Sequence, residues 1–284
     1  MIKKICPSCK SFTLANLRNN WNICKKCTLV FKKQNNKNDF KFNDKYEWGQ
    51  TSVQAKSNYI YRVEDSGKNF NKFLKFLKNN NKIKNILDFG SGDGPLLEYL
   101  KNNNYKATGI EPSIINSNYS KKKGHKVLKK YLNNKTFKKN TFDAIVCFYS
   151  LTYIEDLNSL FKIFNKILKK NGYLFILVHQ YKFTNHLANR KILRITAQNN
   201  LFSGNSLINI LKLNNFNCLK IKNSINGTDI LAQKKITKKD LIGNYKYEIL
   251  YLKYLSYPIA NLLNFYLLIK ANIKKIMIKL TYLN

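Results

Sequence analysis

Arginine is scarce in this sequence: it supplies only four of the 51 basic residues, although the formal net charge is +36. Proteins that read nucleic acids usually use arginine, because its guanidinium makes bidentate contacts with phosphates and bases. Here the charge comes from lysine, which is spread along nearly the whole chain together with many Asn, Ile, Phe and Tyr residues. We interpret this charge mainly as the codon bias of an AT-rich coding sequence.

Long apolar runs are also lacking. No segment reaches the roughly 20 uninterrupted apolar residues that a membrane span needs, and the first ten residues, MIKKICPSCK, contain no stretch typical of a secretory signal. We therefore expect a cytoplasmic protein. Thiols stay reduced in that compartment, so paired cysteines are expected to bind metal and not to form disulfides.

Four of the six cysteines lie in two C-x2-C pairs, separated by 14 residues: Cys6, Cys9, Cys24 and Cys27. Two such pairs on two tight turns can close around one tetrahedral zinc ion. Four thiolates leave no open position for substrate or water, so the zinc is expected to be structural. The alternative interpretation, a redox-active dithiol, is weaker because it would need only one C-x2-C pair. We predict a zinc ribbon over residues 1–35.

The rest of the chain is large enough for one main domain, since 44% of its residues are hydrophobic. Residues 36–66 show no clean period and are predicted to form a linker or lid. Over residues 67–238 strands alternate with helices, a pattern that indicates an α/β fold with a mainly parallel sheet covered on both faces. A ligand is then expected at the carboxyl ends of the strands. The predicted strands include KNILDFG, KATGIEP, FDAIVCFYS and YLFILVH.

Residues 239–284 form a predicted amphipathic helical tail, whose apolar residues gather on one side of a helix from Pro258. Lys270 and Lys274 interrupt the apolar arc. Two interpretations stay open: the helix packs on its own domain or on a second copy, or it makes peripheral contact with a membrane surface.

The most informative stretch is ILDFGSGDGPLLEYL, residues 86–100. Its glycines follow the spacing G-x-G-x-G at Gly90, Gly92 and Gly94, and Pro95 stands where a dinucleotide fingerprint has its third glycine. Proline is well suited to begin a helix, because the first helical N–H has no partner to lose. The spacing indicates a short loop around a compact ligand. Glu111 ends the next strand, where a carboxylate can accept both hydroxyls of a ribose.

Together these motifs resemble the class I S-adenosylmethionine-dependent methyltransferases, over roughly residues 67–235. The resemblance implies a Rossmann-like sheet of seven strands, with the methionine part of the cofactor on Asp88 and the glycine loop, and the ribose on Glu111. At the position after the third strand where many relatives have an Asp that contacts adenine, this sequence has Tyr131, so adenine recognition is expected to use the backbone or stacking. The expected cofactor residues are Asp88, Gly90, Ser91, Gly92, Gly94, Glu111 and Tyr131.

The segments GIEPS, KGHKV and FDAIVCFYSLTYIEDLNSLFKIFNKILKKNGYLFILV resemble the branch that includes sugar and small-molecule methyltransferases. The H-x-L-E-H-like turn of that branch is YSLTY here, so Tyr149 and Tyr153 replace both histidines and Thr152 replaces the glutamate. Candidates for a general base are Tyr149, Tyr153, His179 and Tyr181. His179 follows YLFILV directly and has a suitable ordinary pKa, although it can equally be a structural histidine that ends the strand.

These observations predict an enzyme that transfers a methyl group from S-adenosylmethionine to a sugar nucleotide, a glycan or a similar small molecule, with zinc in a structural role. Two alternatives stay open. The zinc ribbon and the lysines could grip RNA as the substrate. The altered YSLTY turn is also compatible with a scaffold that binds the cofactor without turning it over.

Overall fold

The computed structural model describes the residues 5–17, 20–32, 70–178, 198–224, 227–236, 240–246 and 248. The predicted linker at 36–66, nearly all of the predicted tail, and the candidate bases His179 and Tyr181 lie outside the described residues. Within those described ranges, no helix has both the length and the apolar character needed to cross a membrane.

The described residues form two sheets. The smaller sheet has the strand order β1-β2-β3-β9 and contains β1 (Leu14–Asn16), β2 (Trp21–Cys24), β3 (Val30–Lys32) and β9 (Asn200–Leu201). The larger sheet has seven strands: β4 (Ile86–Phe89), β5 (Ala107–Ile110), β6 (Val127–Leu128), β7 (Phe142–Phe148), β8 (Leu168–Val178), β10 (Phe216–Ser224) and β11 (Gly227–Lys234).

The seven-stranded sheet has the order β6-β5-β4-β7-β8-β11-β10. Strand β4 pairs in parallel with β5 and β7, and the parallel pairing continues to β6 and β8. Among the described strands of this sheet, only β11 runs in the opposite direction, and it pairs antiparallel with β8 and β10. The prediction of a mainly parallel α/β sheet is confirmed. The carboxyl ends of β4, β5, β6, β7 and β8 therefore share one edge of the sheet.

The described residues include five helices: α1 (70–78), α2 (Pro95–Asn102), α3 (Ile114–Lys122), α4 (Leu157–Ile167) and α5 (Gly204–Leu213). Helix α2 begins at Pro95, as the sequence predicts, and Gly94 is its N-cap. Helix α4 is capped by Asp156, whose carboxylate accepts a hydrogen bond from the Ser159 N–H at 3.1 Å.

Helices cover both faces of the large sheet, because alternate strand residues point to opposite sides. In β4, Ile86 packs in a cluster with apolar residues of α1 and α2, whereas Leu87 packs in a cluster with α4 and α5. The predicted apolar face of α4 is buried. Five of its buried side chains belong to the same cluster as Leu87: Leu157, Leu160, Phe161, Phe164 and Ile167.

Strand β8 begins at Leu168, five residues before the predicted start at Tyr173. The segment LKKNG suggests a turn because it contains Asn171 and Gly172. It is nevertheless paired with β7: Leu168 lies opposite Phe142, and the register shifts before Ala144. The irregularity accommodates the turn-like residues within a continuous strand.

The smaller sheet is joined to the main domain by backbone contacts. The Asn158 N–H, at the start of α4, donates to the carbonyl of Pro7 at 2.9 Å, and its side-chain amide donates to the carbonyl of Ser8 at 3.0 Å. On α5, the side-chain amide of Asn209 donates to the carbonyl of Cys27 at 3.1 Å. The cysteine-containing module therefore contacts the start of α4 and the middle of α5.

Candidate cofactor and acceptor site

The glycine loop connects β4 to α2 at the carboxyl edge of the large sheet. The N–H groups of Gly90 and Ser91 both donate to the carbonyl of Ile110, at 2.9 and 3.3 Å. Gly90 packs so closely that a Cβ atom placed there would lie 2.2 Å from the hydroxyl of Ser150. Any larger residue at this position would therefore separate the loop from the chain after β7.

Gly92 differs from Gly90, because it borders space that the described residues leave open. Its φ is +54°, and a Cβ atom placed there would meet no atom of the described residues within 4 Å. The Gly92 N–H donates to Glu111 Oε2 at 2.9 Å, and the Ser113 N–H donates to Glu111 Oε1 at 2.9 Å. Two strands thus place a backbone cradle and a carboxylate side by side, with room for a ligand next to the loop.

Asp88 lies beneath this cradle and is 3% exposed. Burial raises the pKa of its carboxyl to about 8, and the nearby negative charge of Glu111 acts in the same direction. A cationic ligand in the cradle would favour the ionised form of Asp88 and would itself be stabilised by that charge.

Two large side chains are exposed along the same edge of the sheet. Tyr131, three residues after β6, is 65% exposed, and Ile114, at the start of α3, is 52% exposed. They follow neighbouring parallel strands, so both lie beyond the carboxyl ends of β5 and β6. Exposed flat or apolar surfaces in this position are suited to stacking against a planar ring.

The chain after β7 forms a tight turn next to the glycine loop. Tyr149 has a left-handed conformation, with φ of 62°, and the 3₁₀ helix Ser150–Tyr153 follows it. The Tyr149 N–H donates to the carbonyl of Leu177 at 2.6 Å. The Ser150 hydroxyl is 3.0 Å from the carbonyl of Phe89, to which it donates. We name this turn, residues 149–153, the acceptor-side turn.

The structure brings the acceptor-side turn to the same edge as the glycine loop and Glu111. Tyr149 and Tyr153, the two described candidates for a general base, are half-buried there. Thr152, which stands where a glutamate is expected, is buried, and its hydroxyl donates to the carbonyl of Tyr149 at 2.9 Å. Thr152 therefore stabilises the turn.

The sequence alone suggests that His125 is a surface or loop residue; it does lie in the connection between α3 and β6, but its side chain is buried. His125 is buried behind the glycine loop, where its Nε2 lies 3.0 Å from Glu98 Oε2 on α2. Burial lowers the pKa of His125, and the carboxylate of Glu98 opposes this shift. The ring packs against Gly94, so a Cβ atom there would approach its Cδ2 to 2.9 Å. The contact joins α2 to the segment before β6 and could not be inferred from spacing.

The four paired cysteines come together as the sequence predicts. Their Sγ atoms all lie within 4.8 Å of one another, and the closest pairs, Cys6 with Cys27 and Cys9 with Cys24, are both 3.5 Å apart. Three of the four side chains are buried. Such a group of four sulfur donors could hold one metal ion.

The mainly parallel sheet of seven strands with helices on both faces defines a Rossmann-like α/β fold. A family model described as a methyltransferase domain matches residues 61–221, more than half of the chain. The chain belongs to this family and is an S-adenosylmethionine-dependent methyltransferase. No curated protein matches the sequence significantly.

Solved structures with the same fold include a methyltransferase from Archaeoglobus fulgidus, with a TM-score of 0.52 and 16% identity over 62% of this chain and 99% of that one. The PH0226 protein of Pyrococcus horikoshii gives 0.51 and 15% identity, covering 69% and 99% of the two chains. A methyltransferase from Clostridium acetobutylicum gives 0.50 and 14%, covering 65% and 100%. At these identities the likeness concerns the fold alone.

Proposed function

We propose that S-adenosylmethionine binds along the carboxyl edge of the large sheet, with its methionine part on the glycine loop and its ribose on Glu111. The open space beside Gly92 supports this placement, since no atom of the described residues lies within 4 Å of a Cβ atom placed there. The backbone of Gly90, Ser91, Gly92 and Gly94 forms the cradle. Asp88 supplies a buried carboxylate near the positively charged methionine part of the cofactor. Tyr131 is proposed to stack on the adenine.

Glu111 is expected to contribute directly to affinity. Replacing it with alanine removes the acceptor for the ribose hydroxyls and releases the N–H groups of Gly92 and Ser113. The loss of such hydrogen bonds costs about 1 to 3 kcal/mol, so S-adenosylhomocysteine should bind roughly 5- to 150-fold more weakly. Calorimetric titration measures this change. Glu155→Ala, which removes an exposed carboxylate, is the control, and unchanged affinity in Glu111→Ala would contradict the assignment.

Cofactor affinity is expected to depend on pH through Asp88. Its pKa in the folded chain is about 8, higher than its ordinary value of 3.8. The folding stability that the protonated carboxyl contributes is therefore fully present below about pH 3.8 and is lost as the pH rises to about 8. Cationic S-adenosylmethionine favours the ionised carboxylate. Its affinity should therefore rise between pH 6 and 8, by up to about tenfold per unit. Asp88→Asn should flatten the profile, and a flat profile in the unsubstituted protein would refute this role.

We propose that the acceptor is a sugar nucleotide, a glycan or a similar small molecule that binds at the carboxyl edge of the sheet, beside the glycine loop and the acceptor-side turn. The hydrogen bond from Ser150 to Phe89, which places the turn against the loop, supports this location. S-adenosylmethionine supplies a methyl group, which passes from its sulfonium sulfur to the acceptor atom by in-line displacement. The chain therefore has to align the acceptor atom with this methyl group and exclude water. Where the acceptor is a hydroxyl, Tyr149, Tyr153 or His179 is proposed to take its proton.

We also propose that the four cysteines bind one structural zinc ion. Tetrahedral zinc with Zn–S bonds of about 2.3 Å places its sulfur ligands about 3.8 Å apart, close to the Sγ separations of this cluster. Four thiolates complete the coordination, so this ion is proposed to stabilise the small sheet without contacting the acceptor. Cys6, Cys9, Cys24 and Cys27 are its proposed ligands.

The acceptor class is tested by transfer of radioactive methyl groups from S-adenosylmethionine to separate pools of nucleotide sugars and of total RNA. The proposal predicts label in the nucleotide-sugar pool, at a rate that changes little with salt. Label only in RNA, with binding that weakens steeply between about 50 and 200 mM salt because phosphate contacts release counterions, would favour the RNA alternative. Binding of the cofactor with no transfer to either pool would favour an inactive scaffold.

A further inference from the structure

The acceptor-side turn is held by a segment that also belongs to the cysteine-containing sheet. Strand β9 contains only Asn200 and Leu201, and it pairs with β3 so that Asn200 lies opposite Phe31. Next to it, the Lys32 N–H donates to the carbonyl of Asn199 at 2.9 Å. Residues 199 and 200 are thus fixed on one side by the strand that directly follows the second cysteine pair.

On the other side, the two asparagines contact the turn and the residue after it. The Asn199 N–H donates to the carbonyl of Thr152 at 2.7 Å, and its side-chain amide donates to the carbonyl of Tyr153 at 2.8 Å. The Asn200 side-chain amide donates to the carbonyl of Ile154 at 2.6 Å and lies 3.4 Å from that of Leu151. Four successive carbonyls, residues 151–154, therefore accept hydrogen bonds from this one pair of residues.

The burial of the two side chains indicates that the hydrogen bonds of their amide N–H groups are the reason for asparagine at both positions. Asn200 is 1% exposed and Asn199 is 7% exposed, yet the side-chain oxygen of each has no hydrogen-bond partner within the described part of the chain. Burying an unsatisfied amide oxygen is costly, and an apolar side chain would fill the same space without that cost. The amide N–H groups are what an apolar residue could not replace.

We propose that Asn199 and Asn200 are positioning residues that make the geometry of the acceptor-side turn depend on the four-cysteine module. In this arrangement metal binding orders β2 and β3, β3 holds β9, and the asparagines fix the carbonyls of the turn that carries Tyr149 and Tyr153. The inference rests on the proposed function of this turn and of the zinc site. It predicts that metal loss perturbs the acceptor side more than the cofactor cradle.

The test labels Tyr153 with 3-fluorotyrosine in the full zinc-loaded chain and follows its fluorine resonance. Removal of zinc with a chelator should shift and broaden this resonance, and Asn199→Leu and Asn200→Leu should do the same with zinc still bound. Zinc removal should add little in the Asn199→Leu/Asn200→Leu double variant, because the connection is already broken. Asn165→Leu is the matched control, since it removes an amide bond to the carbonyl of Asn214 elsewhere in the fold and should leave the resonance unchanged.

Calorimetry with S-adenosylhomocysteine separates this inference from the proposed function. Affinity should stay within about threefold of the unsubstituted protein in each asparagine variant, which also shows that the variants fold. A resonance that is unchanged by zinc removal and by both substitutions, in chains that bind S-adenosylhomocysteine, would overturn the inference alone. If a variant fails to fold, the zinc-removal arm on the unsubstituted chain decides. Absence of binding in the unsubstituted chain would overturn the proposed function instead.

Discussion

Valine in place of Gly92 is expected to abolish measurable binding of S-adenosylhomocysteine, with a loss of at least about 100-fold, or about 2.7 kcal/mol. Two effects act in the same direction. The φ of +54° at Gly92 is a conformation that β-branched residues rarely adopt. In addition, the new side chain would project into the open space beside the loop, where the proposed cofactor lies. Calorimetric titration measures the loss.

Gly124→Val separates the two effects. Gly124 has a φ of +80°, and among the described residues the only atom within 4 Å of its Cβ position is Lys101 Nζ at 3.9 Å. It lies in the turn before β6, and no atom of the glycine loop comes within 4 Å of this Cβ position in the described part of the chain. This control therefore carries similar backbone strain without blocking the cradle, and it should keep normal affinity. Equal affinities in Gly92→Val and Gly124→Val would show that the ligand binds elsewhere.

Serine in place of Cys24 is expected to lower bound zinc well below one ion per chain and to reduce the melting temperature. Cys24 Sγ lies 3.5 Å from Cys9 Sγ and 3.5 Å from the Cys27 N–H. Its loss leaves three thiolates, and metal binding in such modules is coupled to folding. Because the module rests on α4 and α5, its loosening should also destabilise the main domain.

Metal analysis by mass spectrometry and calorimetric melting measure these two effects. Cys218→Ser is the matched control, because Cys218 is a half-buried thiol in β10 outside the cluster. It should keep one zinc ion per chain and nearly the same melting temperature. A Cys24→Ser protein that still binds one zinc ion per chain would mean that the cluster is not the metal site.

The elements of the large sheet could be predicted because their signals are local. The apolar run before Asp88, the glycines at every second position and the proline that begins α2 lie within a few residues of one another, and each has a direct physical reason. The apolar face of α4 is equally local, since residues three and four apart share one side of a helix. Their assembly into one Rossmann-like sheet of seven strands was implied by the resemblance to a known fold, whereas the order of the strands was not predicted.

The connections across the molecule could not be predicted, because they join residues far apart in sequence. Asn199 and Asn200 stand in a polar stretch that suggests a loop, and nothing nearby shows that they pair with β3 or contact the turn after β7. The same holds for His125, whose burial depends on α2. The roles of Tyr149, Tyr153, His179 and Tyr131 stay predictions, since a sequence does not show where an acceptor or an adenine ring binds.

The most direct test of the central claim is a calorimetric titration of the purified, zinc-loaded chain with S-adenosylhomocysteine, with NAD as the comparison ligand. Micromolar binding of S-adenosylhomocysteine and none of NAD is the predicted result, because the loop from Gly90 to Gly94 is too short for the dinucleotide fingerprint. Binding of NAD in preference, or of neither ligand by a chain that melts cooperatively, would contradict the assignment of this loop as the cofactor site.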